Sequence, residues 1–178
     1  MAESGAVYGN ALHDLAVESA REEQILRDLT LIADVLSAEP AYVRLMDSYV
    51  LSKAERQSLL ERAFGGKVDA MTLNLLKIMV DRNALKEFSQ CRKAYVSAYR
   101  EQHRIAVARI SSAVELRSDQ KEKIVSSLSR KTGKTIEPEY VVNPELRGGM
   151  RIEVDGVCYD NTVSTKLGNL ARVLSGQG

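Results

Sequence analysis

With 25 basic and 24 acidic residues in a chain of 178, and a net charge of +1, the sequence lacks the basic face of a dedicated nucleic-acid binder. The length allows one large domain or two small ones, and apolar content suffices for a core although aromatics are sparse and tryptophan is absent. Cys91 and Cys158 fit no metal or redox spacing, and no signal peptide, transit peptide or apolar run of about twenty residues is present. The expectation is a soluble, unprocessed chain with reduced thiols, reaching any membrane only through partners.

The first predicted helix covers residues 4 to 20, with Ser4 as N-cap and Tyr8, Ala11, Leu12, Leu15 and Ser19 on one face. The second, about 22 to 37, carries Ile25, Leu29, Ile32 and Leu36 at helical spacing. Pro40 begins a short third helix with Tyr42, Leu45, Met46 and Tyr49. A capping box at Ser52-Lys53-Ala54-Glu55 opens a fourth, with Leu59, Leu60, Ala63 and Phe64, which Gly65-Gly66 ends. Short helices joined by short loops read as a bundle.

The fifth helix, Val68 to Arg82, is different. Leu73, Leu75, Leu76, Ile78, Met79 and Val80 spread over roughly 220° of its wheel, about twice the arc that an outer bundle helix needs. Either this helix is central and touched on nearly all sides, or part of its arc is a groove for a partner's amphipathic helix. The two readings are compatible. A sixth helix follows from Ala84 to about Glu101, with Leu85, Phe88, Cys91, Tyr95 and Ala98 inward.

Around His103-Arg104 the helical period gives way to a strand, Ile105 to Ile110, and the domain boundary is placed there, at 104/105. Ser118 caps a helix to Lys131 with Ile124, Val125 and Leu128 inward and Gly133 as its stop. Thr135 to Val142 is a strand whose Pro138 argues for a sheet edge. Asp155-Gly156 then forms a two-residue hairpin turn between two alternating runs. That turn sets Val154 opposite Val157, Ile152 opposite Tyr159 and Arg151 opposite Asp160. From Ser164 the period is helical again, with Leu167, Leu170 and Leu174 on one side, so an amphipathic helix returns onto the hairpin. The fold class is α+β: an N-terminal six-helix bundle (1–104), then a small C-terminal α/β domain (105–178) with a β-hairpin and two helices.

Candidate chemistry is thin. Thr132-Gly133-Lys134-Thr135 imitates a phosphate loop, but Leu128 stands where the first glycine belongs and the strand follows instead of preceding. Gly148-Gly149 reads as a tight turn into the hairpin. His13 and His103 have no partner at catalytic spacing, and no nucleophile, base and orienting group come together. No catalytic residue, cofactor site or metal site is assigned. Surface for binding remains: Tyr8, Ala11, Leu12 and Leu15 of the first helix with Leu75, Ile78, Met79 and Arg82 of the fifth. Ala11 would let a docked helix approach closely, and Met79 would adapt its shape. Leu12 and Leu15 read rather as bundle core, and Ile78 and Met79 stand between the two roles.

Several stretches together resemble the delta subunit of F-type ATP synthases, whose mitochondrial counterpart is the oligomycin-sensitivity-conferring protein. Ala6-x-Tyr8-Gly9-x-Ala11-Leu12 is similar to the family's opening pattern, and Asn74-Leu75-Leu76-Lys77-Ile78-Met79 to its middle segment. Thr132-Gly133-Lys134, a strand, then Asn143-Pro144-x-Leu146-x-Gly148-Gly149 and Asp160-x-Thr162-Val163 resemble its C-terminal signature. Departures are Gly9 for the usual Ala, Asn143 for Asp, Arg147 for an aliphatic residue and Thr162 for Ser. An arginine usual just after the fifth helix comes earlier, as Arg82. In a helix interior Gly9 should cost about 1 kcal/mol relative to Ala.

The resemblance implies a non-catalytic stator subunit, present in one copy, that ties the catalytic head to the peripheral stalk so that rotation driven by protons or sodium yields ATP. It implies an N-terminal domain holding the N-terminal helix of an alpha subunit and a C-terminal domain holding the ends of the stalk's b subunits. The place implied is the cytoplasmic face of a bacterial cell membrane, reached through partners. A helical adaptor for some other protein's amphipathic helix is the alternative, and nucleic acid is not an expected partner.

Overall fold

The computed structural model describes residues 3–48, 50–146 and 148–161. Expectations for Tyr49, for Arg147, for Thr162-Val163 and for the closing helix with Leu167, Leu170 and Leu174 lie outside them. Internal contacts divide the chain into two compact units, Met1–Tyr99 and Arg100–Gly178.

The first unit contains α1 (Glu3–Glu18), α2 (Glu22–Ala38), α3 (Pro40–Met46), α4 (Lys53–Phe64), α5 (Ala70–Asp81), a tight helical turn at Leu85–Glu87, and most of α6 (Phe88–Gln102). Ser4 lies inside α1 instead of capping it. The expected capping box opens α4: Glu55 N–H donates to Ser52 Oγ at 3.3 Å, and Ser52 N–H donates back to the Glu55 carboxylate at 2.8 Å. The Ser52 hydroxyl, donating to that carboxylate at 2.7 Å, and the Ser52 N–H together hold the Glu55 carboxyl below its ordinary range. Two residues later than expected, α5 starts at Ala70, because Asp69 accepts from Met71 N–H at 2.9 Å and so takes the cap position.

Ile25, Leu29, Ile32 and Leu36 of α2 close the core with Leu60, Phe64, Leu76, Met79, Val80, Phe88 and Tyr95. The buried face of α1 is rotated from the one expected. Leu12 and Ala16 enter the core, whereas Ala11 and Leu15 are exposed. The cause is Gly5 and Gly9, which let α1 lie flush on α6. A Cβ on Gly9 would come within 2.2 Å of the Cys91 carbonyl oxygen and 2.8 Å of Ala94 Cβ. The His13 ring continues that contact edge-on to Tyr95, centroids 5.4 Å apart.

The second unit is a four-stranded sheet in the order β2-β1-β3-β4 with one helix among its described residues. β1 (Ile105–Ser112) and β2 (Thr135–Val142) are parallel, joined through α7 (Ser118–Thr132), and β3 (Met150–Val154) and β4 (Val157–Asp160) form the hairpin. Pro138 sits on the edge strand β2. The hairpin register is the expected one, Val154 with Val157, Ile152 with Tyr159 and Arg151 with Asp160. Asp155 (φ 50°) and Gly156 (φ 76°) both take the left-handed conformation such a turn requires. Ser118 does not cap α7. Arg117 holds that position, and its N–H donates to Gln120 Oε1 at 3.0 Å. Gly133, left-handed at φ 67°, ends the helix as expected. The core here is small: Ala106, Ala108, Ile110, Leu128, Ile136 and Val154. A 2.7 Å ion pair between Arg100 and Glu137 ties the end of α6 to β2 within this unit.

Candidate functional site

The first and fifth helices are neighbours, and buried polar groups fix where α5 stands. Asp28 of α2, almost fully buried, accepts from Asp69 N–H at 2.6 Å, from the Thr72 hydroxyl at 3.3 Å and from Gln24 Nε2 at 2.8 Å. A carboxylate is well placed there, since the first N–H groups of a helix are unpaired and carry positive charge. At the opposite end Arg56 of α4, also buried, donates from Nη1 to Met46 O, Val80 O and Asn83 Oδ1 at 3.2, 3.1 and 2.7 Å. One guanidinium thus satisfies the C-terminal carbonyls of α3 and α5 together.

The end of α1 meets the start of α5. Arg21 pairs with Asp69 at 2.8 Å and Ser19 Oγ lies 3.9 Å from Met71 Sδ. α1 and α5 are in contact along an interhelical seam, and the sequence-predicted residues of the two helices lie at different depths. Leu12, Leu75 and Met79 are sealed in the core, Met79 at 0% exposure, so none of the three can form the accessible wall expected of them. Tyr8 is half-buried against the core. Ala11 and Arg82 are exposed, as are Leu15 at 51% and Ile78 at 48%.

The surplus apolar arc of α5 thus divides. Leu75, Leu76, Met79 and Val80 are explained by a central helix, and Ile78 is left over. On α1, Val7 (63% exposed), Ala11 and Leu15 are exposed at intervals of about one turn. Sequence reasoning did not single out Val7, whose exposure follows from the rotation of α1 that the glycines set. Also missed was a second strip on α2, where Leu31 and Val35 are exposed beside half-buried Leu26. A period count that had already found the core stripe of that helix gave no reason to look for another.

Burial leaves few reactive groups. The Cys91 thiol is pushed up to about 12 by desolvation, and burial raises the Tyr95 phenol, which donates to Glu22 O at 2.9 Å. Among the described residues no cluster of three or more His, Cys, Asp or Glu could hold a metal ion, and no helix is long and apolar enough to cross a membrane. The seam between α1 and α5 carries exposed apolar side chains, and the fold that carries it is a helical unit followed by a small mixed-sheet unit.

The family model for the ATP synthase delta (OSCP) subunit matches residues 5–174, and the chain belongs to that family. It is 31% identical over 170 residues to the ATP synthase subunit delta of Gloeobacter violaceus, covering 94% of this chain and 92% of that one. It is 29% identical over 167 residues to the subunit of the same name in Exiguobacterium sibiricum, covering 94% of each. A chain in the cryo-EM structure of the Toxoplasma gondii mitochondrial ATP synthase hexamer shares the fold, with a TM-score of 0.70 at 20% identity over 96% of this chain and 97% of that one. Membership makes this protein a structural component of the peripheral stalk of an F-type ATP synthase, not a catalytic one.

Proposed function

We propose that the seam between α1 and α5 grips the amphipathic N-terminal helix of an alpha subunit, while the second unit holds the ends of the b subunits. In this reading one copy sits on the catalytic head at the cytoplasmic face of the membrane and touches the membrane only through its partners. It keeps the head from turning with the rotor and passes the torque to the stalk. The first unit then acts as a six-helix bundle.

One observation carries the proposal: on two helices in contact, Leu12, Leu75 and Met79 already close the core, yet Val7, Ala11 and Leu15 of α1 and Ile78 of α5 stand exposed. Covering the exposed parts of Val7, Leu15 and Ile78 contributes about 2–4 kcal/mol. That is comparable to the roughly 2–5 kcal/mol a flexible tail loses on becoming helical. Net affinity must then come from the partner's own apolar face and from close approach over Ala11. Titration calorimetry of the full chain with a peptide of the alpha subunit's N-terminal segment is the test. Ile78→Asp is expected to abolish binding while the thermal melt moves little, because Ile78 is not core. Unchanged affinity in a folded Ile78→Asp variant would place the grip elsewhere.

A further inference from the structure

A pocket of about 270 Å³ opens between α2, α3, the Leu85–Glu87 turn and α6, and no residue of α1 or α5 lines it. Its floor is apolar, formed by Leu36, Leu85 and Phe88, all buried. Its remaining functional groups are the cations of Lys86 and Arg92 and the hydroxyls of Ser37 and Ser89, and no carboxylate is among the lining residues. Among the described residues four buried side-chain polar atoms lack a hydrogen-bond partner, His13 Nε2, Tyr42 Oη, Arg56 Nε and Arg92 Nε, and of these residues Arg92 alone lines the pocket. A buried N–H that gives up water and gains no acceptor is costly, so such a group marks a place where an acceptor belongs. Nearby acidic charge is already committed, since the Asp47 carboxylate accepts from Leu85 N–H and Lys86 N–H at 3.1 and 3.2 Å.

We propose that this pocket is a socket for a carboxylate carried on a short apolar stem. The stem lies on Leu36, Leu85 and Phe88, and the carboxylate takes the Arg92 guanidinium, with Lys86 adding charge at the rim. The volume falls just below the usual range of small-molecule pockets, so it fits one acidic side chain or one small organic acid and nothing larger. The socket is independent of the seam between α1 and α5 and of the partner assigned there.

Hexanoate is the probe, followed by NMR on the isotope-labelled full-length protein, with hexylammonium as the control of equal stem and opposite charge. Hexanoate is expected to shift the Arg92 Nε–H and Ser89 amide signals saturably, and hexylammonium is not. Arg92→Met should weaken hexanoate binding about tenfold or more, and Lys86→Met, at an exposed position that cannot disturb the fold, by a smaller factor. No saturable shift, equal binding of hexylammonium, or hexanoate binding unchanged in both variants overturns the socket. The source of the natural carboxylate is read from rebinding the full chain to an ATP synthase head stripped of it. Competition by hexanoate together with weaker rebinding of Arg92→Met identifies an acidic side chain of a neighbouring subunit. Rebinding unaffected by either, with hexanoate still bound, identifies a free organic acid.

Discussion

The two units close themselves to different degrees. The helical unit seals Leu29, Ile32, Leu60, Leu76, Met79 and Tyr95 completely and pins its helix ends with two buried charges, Asp28 and Arg56. Among the described residues the sheet unit buries six apolar side chains, three of them on β1, and leaves Val157 and Tyr159 exposed on the hairpin. Exposed apolar residues therefore mean different things in the two. In the first unit Val7, Leu15 and Ile78 are surplus beyond a finished core, which is what a docking surface requires. In the second, the core among the described residues is smaller, and Val157 and Tyr159 are exposed residues of the hairpin that borders it.

The largest effects should come from cutting each core. Leu76→Ala removes a fully buried side chain from the first unit and should cost about 2–5 kcal/mol. Ile110→Ala should cost a similar amount locally, but against the smaller core of the second unit. Differential scanning calorimetry is expected to show two transitions, Ile110→Ala erasing or lowering one and Leu76→Ala lowering the other. A single shared transition moved equally by both substitutions would end the contrast between the units.

Next in size is Gly9→Ala. Helix propensity alone favours alanine by about 1 kcal/mol. Packing reverses the sign, because the new Cβ would meet Cys91 O at 2.2 Å and both partners are anchored in helices. A net loss of about 1–3 kcal/mol is expected in urea denaturation. A stabilised Gly9→Ala would mean that α1 does not lie flush on α6, and the exposed row at Val7, Ala11 and Leu15 would lose its geometric basis.

That glycine also shows where sequence reasoning stops. The hairpin register was legible in full, since a two-residue turn fixes the pairing of every residue beyond it. The Ser52–Glu55 box and the core face of α2 were legible for the same reason: the interacting residues lie within a turn or two of one another. The buried face of α1 was not. Apolar counting favoured Tyr8, Ala11, Leu12 and Leu15, of which Leu12 alone is buried, while the contact that sets the rotation is made by residues with no side chain at all. Asp28 and Arg56 were equally hidden, because they read as ordinary surface charges until α5, forty-one residues from Asp28 at Asp69, is brought against them. For the candidate site residues, the sequence did not separate those buried in the core, Leu12, Leu75 and Met79, from those left exposed, Ala11, Leu15, Ile78 and Arg82.

The smallest effect reports on the same contrast without perturbing either unit. Cys91 lies at 0% exposure in the helical core with its thiol pushed up to about 12, so at mildly alkaline pH it stays protonated and shielded. Cys158 stands exposed on β4. Ellman's reagent added to the native protein should label Cys158 promptly, and Cys91 only as fast as the helical unit opens. Cys158→Ser should leave the melting behaviour within about 0.5 kcal/mol of the parent and abolish the prompt phase. Comparable labelling of both thiols in the folded protein would mean that the helical unit is no better closed than the sheet unit. Val7, Leu15 and Ile78 would then be gaps in an unfinished core, with no claim to be a surface kept for a partner.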